Sequence, residues 1–170
     1  MSQTLTFQSL EIKIEETKDE AIYTFTGDMN ESFDNTKVPR LIKSKITLFL
    51  KDLNTFNSVG IREWIKLISD LSHADQLIFK ECSLAVIDQV NMVPTSLGKG
   101  EIESFYAPYY CECGTEENKL INVEDHLKSI SNAQAPEFNC NVCDDLMEFD
   151  ALEESYFQFL TDIANKKAAS

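Results

Sequence analysis

Four of the five cysteines in this 170-residue chain come in two tight pairs, Cys111 and Cys113 in "CEC" and Cys140 and Cys143 in "CNVC". Two short turns that each present two thiolates supply the donors of a tetrahedral zinc site, with the metal closing the chain between them. With Cys at all four positions no place is left for a reactive water, so the zinc expected here is structural. Gly114, directly after Cys113, permits a sharp turn. His126 is the alternative nitrogen donor, but in the polar stretch "NVEDHLKSI" it reads as a surface residue, as does His73 after an earlier helix. The Cys-x-x-Cys spacing of Cys140 and Cys143 also suits disulfide exchange. Against that, Asp144, Asp145 and Glu148 would raise thiol pKa values, and no thioredoxin-like strand and helix flank the pair. Cys82 ends an apolar strand and reads as a buried thiol.

A second chemical feature is the seam "FNSVGIREW", residues 56–64. Phe56 ends an apolar strand, while Ile61, Trp64 and Ile65 already follow a helical period. A helix that opens here exposes free backbone N–H groups at Asn57 and Ser58, either of which can cap them. Gly60 lacks a side chain, so another surface or a phosphate can approach that end, and an anion is favoured there by roughly 0.3–1 kcal/mol. Arg62 and Glu63 lie on the polar face beside the seam and are candidate partner contacts, with Asn57, Ser58 and Gly60. Trp64 falls at a core-facing phase.

These features need elements to hold them. "LEIKIEE" and "AIYTFTG" alternate with the period of half-buried strands and read as a hairpin. The stretch from Asp28 to Lys43 holds at most one short helix or turn. "KITLFLKDL" has the near-continuous apolar pattern of a strand covered on both faces. Val59 to Leu71 forms the strongest helix, with Ile61, Trp64, Ile65, Ile68 and Leu71 at steps of three and four. "QLIFKEC" is another strand, "SLAVIDQVNM" a helix capped by Ser83 and stopped before Pro94, and "EIESFYAPYY" a last strand. After the cysteines, Leu152, Tyr156, Phe159, Leu160 and Ile163 mark an amphipathic helix over 150–167, with Asp150 as its cap and Lys166 and Lys167 near its end. The pattern predicts an α/β fold: a mixed sheet with helices packed against it, a small cysteine module, and a terminal helix.

"ITLFLKDLNTFNSVGIREW" resembles the STAS domains, named for sulfate transporters and anti-sigma-factor antagonists. Their signature is an apolar strand followed by Asp-Ser-small-Gly-aliphatic at a helix start, here with Asn57 in place of Asp. "FKECSLAVIDQVNMVPTSLGKGEIESF" and "FTGDMNESF" extend the resemblance to roughly residues 9–106. It implies a STAS-like domain over 9–110, followed by a module over 111–149 that resembles a zinc ribbon at "CNVC" and falls one residue short at "CEC". In the antagonist branch the motif's Ser is phosphorylated by a kinase that is also the anti-sigma factor. Carried over, Ser58 is the phosphoacceptor and the partner a protein, with no chemistry performed by the domain itself. The resemblance also admits a sensory domain that binds a small ligand or nucleotide near the helix start.

Composition narrows the classes. Twenty-nine acids against 15 bases give a formal charge of −14, which repels a phosphate backbone and argues against nucleic acid. No apolar run is long enough to cross a membrane and the N-terminus lacks the pattern of a signal peptide, so a cytoplasmic location is expected. No nucleophile and base, acid pair or open metal site is legible, so an enzyme is not expected.

Overall fold

The computed structural model describes residues 1–161. It is an α/β fold in which a mixed six-strand sheet packs against helices and leads into a three-strand antiparallel sheet that carries the paired cysteines. In chain order the first sheet contains β1 (Ser2–Thr6), β2 (Leu10–Glu16), β3 (Glu20–Met29), β4 (Lys45–Phe56), β5 (Gln76–Lys80) and β6 (Glu101–Ile102), and this is also their spatial order. β1, β2 and β3 are antiparallel neighbours, and β3 to β6 run parallel. Parallel neighbours laid down in one direction by right-handed crossovers place their connections on one face. Those connections are a single 3-10 turn at Asn35–Lys37, helix α1 (Ser58–Leu71), and helix α2 (Leu84–Met92) with a 3-10 turn at Pro94–Leu97.

That face is the core. Ile12 and Ile14, Tyr23 and Phe25, Leu48 and Leu50, and Phe79 are fully buried on it. Trp64 sits at their centre, edge-on to Phe25, Phe56 and Phe79 at centroid distances of 5.5, 5.9 and 6.0 Å, and its indole N–H donates to the Ser96 carbonyl at 2.9 Å. Trp64 is therefore packing, as its phase predicts. The expectation that β4 is covered on both faces is corrected: Phe49 lies half-buried on the other side, beside the half-buried Ile22, Thr24 and Ile78. Thr47 is buried there because its hydroxyl donates to Glu20 at 2.8 Å.

The strand expected over 101–110 is two strands. β6 ends at Ile102, Glu103 bends the chain, and β7 (Ser104–Tyr110) becomes the centre of the small sheet, between β8 (Glu116–Asn122) and β9 (Glu148–Phe149). Helix α3 (Val123–Ile130) follows β8. The final helix begins later than expected, as α4 (Glu153–Tyr156), with Leu152 and not Asp150 at its cap; the Asp150 N–H is bound instead to the Pro108 carbonyl. Tyr156, Phe159 and Leu160 are buried as the pattern predicts, Leu152 is exposed, and Ile163, Lys166 and Lys167 lie outside the described residues. This segment joins the two sheets. The Tyr156 hydroxyl donates to the Tyr106 carbonyl at 2.6 Å, Asn91 of α2 bonds both Tyr156 and Phe159, and Phe105 packs against Tyr156, Phe157 and Phe159.

Candidate functional site

Cys111, Cys113, Cys140 and Cys143, separated by up to 32 residues, come together with all four Sγ atoms within 4.8 Å of one another. Two hairpin tips deliver them. Tyr110 pairs with Glu116 across β7 and β8, and the intervening turn is closed by Gly114 N–H to the Cys111 carbonyl and by Cys111 N–H to the Thr115 carbonyl, both at 2.8 Å. Gly114 has φ +90, a left-handed conformation that glycine adopts without steric cost. The second tip is framed by the Asn139–Leu146 bridge. Within it the Asp144 N–H reaches the Cys140 carbonyl, Asp144 itself has φ +64, and the Val142 N–H points at Cys140 Sγ at 3.4 Å. Asn141 ties this tip to Glu117 of β8.

Cys111 Sγ lies 3.4 Å from Cys143 Sγ, and Cys113 Sγ 3.7 Å from Cys140 Sγ. Four sulfurs about 2.3 Å from a central zinc would stand about 3.8 Å apart, so the donor set and its spacing fit such an ion. Cys111 and Cys140 are buried, whereas Cys113 and Cys143 are exposed. The expected uniform effect of acidic neighbours is corrected by the backbone. The N–H groups of Val142 and Cys143 draw the Cys140 thiol down to about 6, and the Thr115 hydroxyl and N–H lower Cys113. The N–H groups of Cys113 and Asp145 favour thiolate at Cys111 and Cys143, but burial and the neighbouring sulfurs outweigh them and push both up. Four sulfurs this close do not all ionise unaided; a bound dication reverses that balance. His126 is not among the clustered donors and packs near the Phe138 ring. Cys82 is fully buried, and burial pushes its thiol far up.

At the seam, Asn57 is the cap. Its Oδ1 accepts from the N–H groups of Val59 and Gly60 at 3.1 and 2.9 Å, while its Nδ2 donates to Glu31 at 2.6 Å. An amide performs both tasks; a carboxylate would cap but repel Glu31. Glu31 is held below the usual carboxylate range by its own backbone N–H and by this contact. Ser58 is the first helical residue and is exposed, and its hydroxyl takes no part in the cap. Gly60 is buried, which corrects its reading as an open approach: a Cβ there would stand 1.9 Å from the Met29 carbonyl oxygen, so the chain's own β3 end fills the space. Glu63 is turned inward, its side chain 18% exposed, accepting from Asn35 and pairing with Lys66. Arg62 is exposed and His73 is exposed as expected.

Glu31 and Thr115 join the site without having been expected there. Glu31 meets Asn57 across a crossover 26 residues long, which leaves no local pattern. Thr115 does carry a signal, a hydroxyl two residues after a cysteine, and Cys113 Sγ lies 3.2 Å from it.

No family model matches the chain, nor does any curated protein. Among the described residues no helix is long and apolar enough to cross a membrane.

Proposed function

We propose that the chain is a non-catalytic regulatory module that binds a protein partner through the surface around Ser58, in the manner of the STAS antagonists, and that its four cysteines hold a structural zinc ion. The observation that carries the first part is the division of labour at the seam. Asn57 caps the helix, leaving the Ser58 hydroxyl exposed and unneeded by the fold. A phosphate there would add a charge near −2 beside Glu31 and drive that carboxylate from Asn57, changing the shape and charge of the docking surface together. Partner contacts then come from Asn57, Ser58 and Arg62, with Glu63 and Gly60 supporting them from beneath.

Charge indicates the kind of partner. The chain as a whole carries a formal charge of −14, which favours a basic protein surface, such as that of a kinase or anti-sigma factor, over nucleic acid. A cytoplasmic location suits reduced thiolates on zinc. The test is a pull-down with wild type, Ser58→Ala and Ser58→Asp as baits, with phosphosite mapping of the native protein. Ser58→Asp is expected to weaken capture of the partner roughly 5- to 150-fold, the usual range of such coupling. Equal capture by all three removes the switch.

A second reading, small-ligand sensing, draws on a cleft of about 450 Å³ lined by Lys51, Asn54, Ser83, Tyr106 and Asn118, where the two sheets meet. It lies at the start of α2 and not of α1. A ligand retained in native mass spectrometry, and lost in Tyr106→Ala, would favour it.

A further inference from the structure

We infer that the four-cysteine cluster is also an oxidation site, built to form two disulfides that cross between the hairpin tips, Cys111 to Cys143 and Cys113 to Cys140. Each short sulfur contact, at 3.4 and 3.7 Å, joins one tip to the other, and each pairs a buried sulfur with an exposed one. An oxidant from solvent therefore meets Cys113 or Cys143 first, and a second sulfur from the opposite tip waits behind it. This differs from exchange within Cys140-x-x-Cys143, because each bridge spans the two tips. It rests on the zinc reading only for the release of metal, since the sulfur pairs stand in the chain's own geometry.

The chemistry needs a two-electron oxidant such as hydrogen peroxide. The exposed thiolate attacks one peroxide oxygen, the O–O bond breaks, and a sulfenic acid and hydroxide result. The buried thiolate then attacks that sulfur, forming S–S and expelling a second hydroxide, and the two hydroxides become water with the two protons that the thiols released on ionising. Two electrons leave each sulfur pair and one peroxide is consumed per bridge. Disulfide sulfurs are poor ligands, so a held cation is released. The new bonds link the same two tips that the metal links, so the module is expected to keep its β7–β8–β9 frame while the charge of its thiolates is removed.

The experiment uses the full chain, purified under reductant, with its zinc content measured first and then treated with graded hydrogen peroxide. Released zinc is followed with a chromogenic chelator, free thiols are counted, and bridges are placed by tandem mass spectrometry after cleavage at Glu112, which separates Cys111 from Cys113. The expected result is loss of four of the five thiols, with Cys82 spared as an internal control, the two crossed bridges, release of about one zinc per chain, and full reversal by dithiothreitol plus zinc. Bridges within a tip, sulfinic acid at Cys113 or Cys143 without bridges, or a cluster that resists millimolar peroxide would each overturn the inference. A chain that carries no zinc at the outset yet forms the crossed bridges removes the metal reading alone.

Discussion

The six-strand sheet buries large side chains from β2 to β5 on one face, with Trp64 edge-on to Phe25 and Phe79 among them. The three-strand sheet places Phe105, Tyr109 and Ile121 in its core, but its distal end, from Asn141 to Leu146, is wholly exposed. One region closes itself by apolar burial; the other holds its exposed tips through the Asn141–Glu117 hydrogen bonds and four clustered sulfurs. The difference teaches where a metal is needed: not where side chains fill the space, but where two polar hairpins meet without a core between them.

Removal of the proposed zinc breaks the comparison hardest. Structural zinc contributes on the order of 10–16 kcal/mol of apparent binding energy in small zinc domains. Chelation, or Cys140→Ser, is therefore expected to release the two tips and β9 while the six-strand sheet persists. Hydrogen exchange should show protection lost over 111–115 and 139–149 and kept over 46–50 and 64–71. Equal loss in both regions would make them one cooperative unit.

Two glycines sharpen the contrast at smaller scale. Gly60→Ala forces a methyl onto the Met29 carbonyl, 1.9 Å away, in a packed interior that has no room to yield; a cost of roughly 3 kcal/mol or more is expected from overpacking and backbone shift. Gly114→Ala meets nothing within 4 Å and carries only the strain of φ +90, about 1–2 kcal/mol. Thermal melts should rank them in that order, with Gly114→Ala lowering zinc affinity and Gly60→Ala leaving it unchanged. The reverse ranking would mean that β3 and α1 shift apart easily.

Between the regions stands Tyr156, whose hydroxyl bonds the Tyr106 carbonyl. Tyr156→Phe keeps the tilted ring contact with Phe105 and deletes that bond, a loss of about 1 kcal/mol. If the two sheets unfold separately after metal removal, the variant is expected to widen the gap between their melting transitions; a single unchanged transition shows that the Asn91 hydrogen bonds and the aromatic cluster suffice to join them.

These features were legible in the sequence to different degrees for physical reasons. α1 announced itself because Trp64, Ile68 and Leu71 pack on one continuous surface, and that periodicity is local. The cysteines announced themselves because ligand type and spacing encode geometry directly. The break at Glu103 was hidden, since "EIESFYAPYY" reads as one β-rich run and what separates its parts is the pairing partner: β5 for Ile102, β8 and β9 for the residues after it. Gly60 was misread because a glycine at a helix start serves equally for a visitor's approach and for the chain's own, and the Met29 carbonyl that decides the matter lies 31 positions upstream. β1 was missed because it is exposed along nearly its whole length and so has no apolar face to show.

The smallest effect separates the regions by charge. On the six-strand sheet acids are matched: Glu20 sits 3.0 Å from Lys45 and accepts from Thr47, and first Lys45, then Thr47, hold its carboxyl below the usual value of 4.5. A folded pKa lower than the unfolded one contributes stability that is present above about pH 4.5 and lost as pH falls through the folded value. The pair is partly exposed, so the contribution is roughly 0.2–1 kcal/mol. Wild type is thus expected to exceed Glu20→Gln in denaturant midpoint at pH 7, with the gap closing below pH 4.5. In the cysteine module, residues 111–149, nine acids face two lysines, a surplus of like charge that repels itself instead of pairing. A Glu20→Gln gap that persists unchanged to low pH would show that Glu20 acts there through packing over Thr47 and not through its charge.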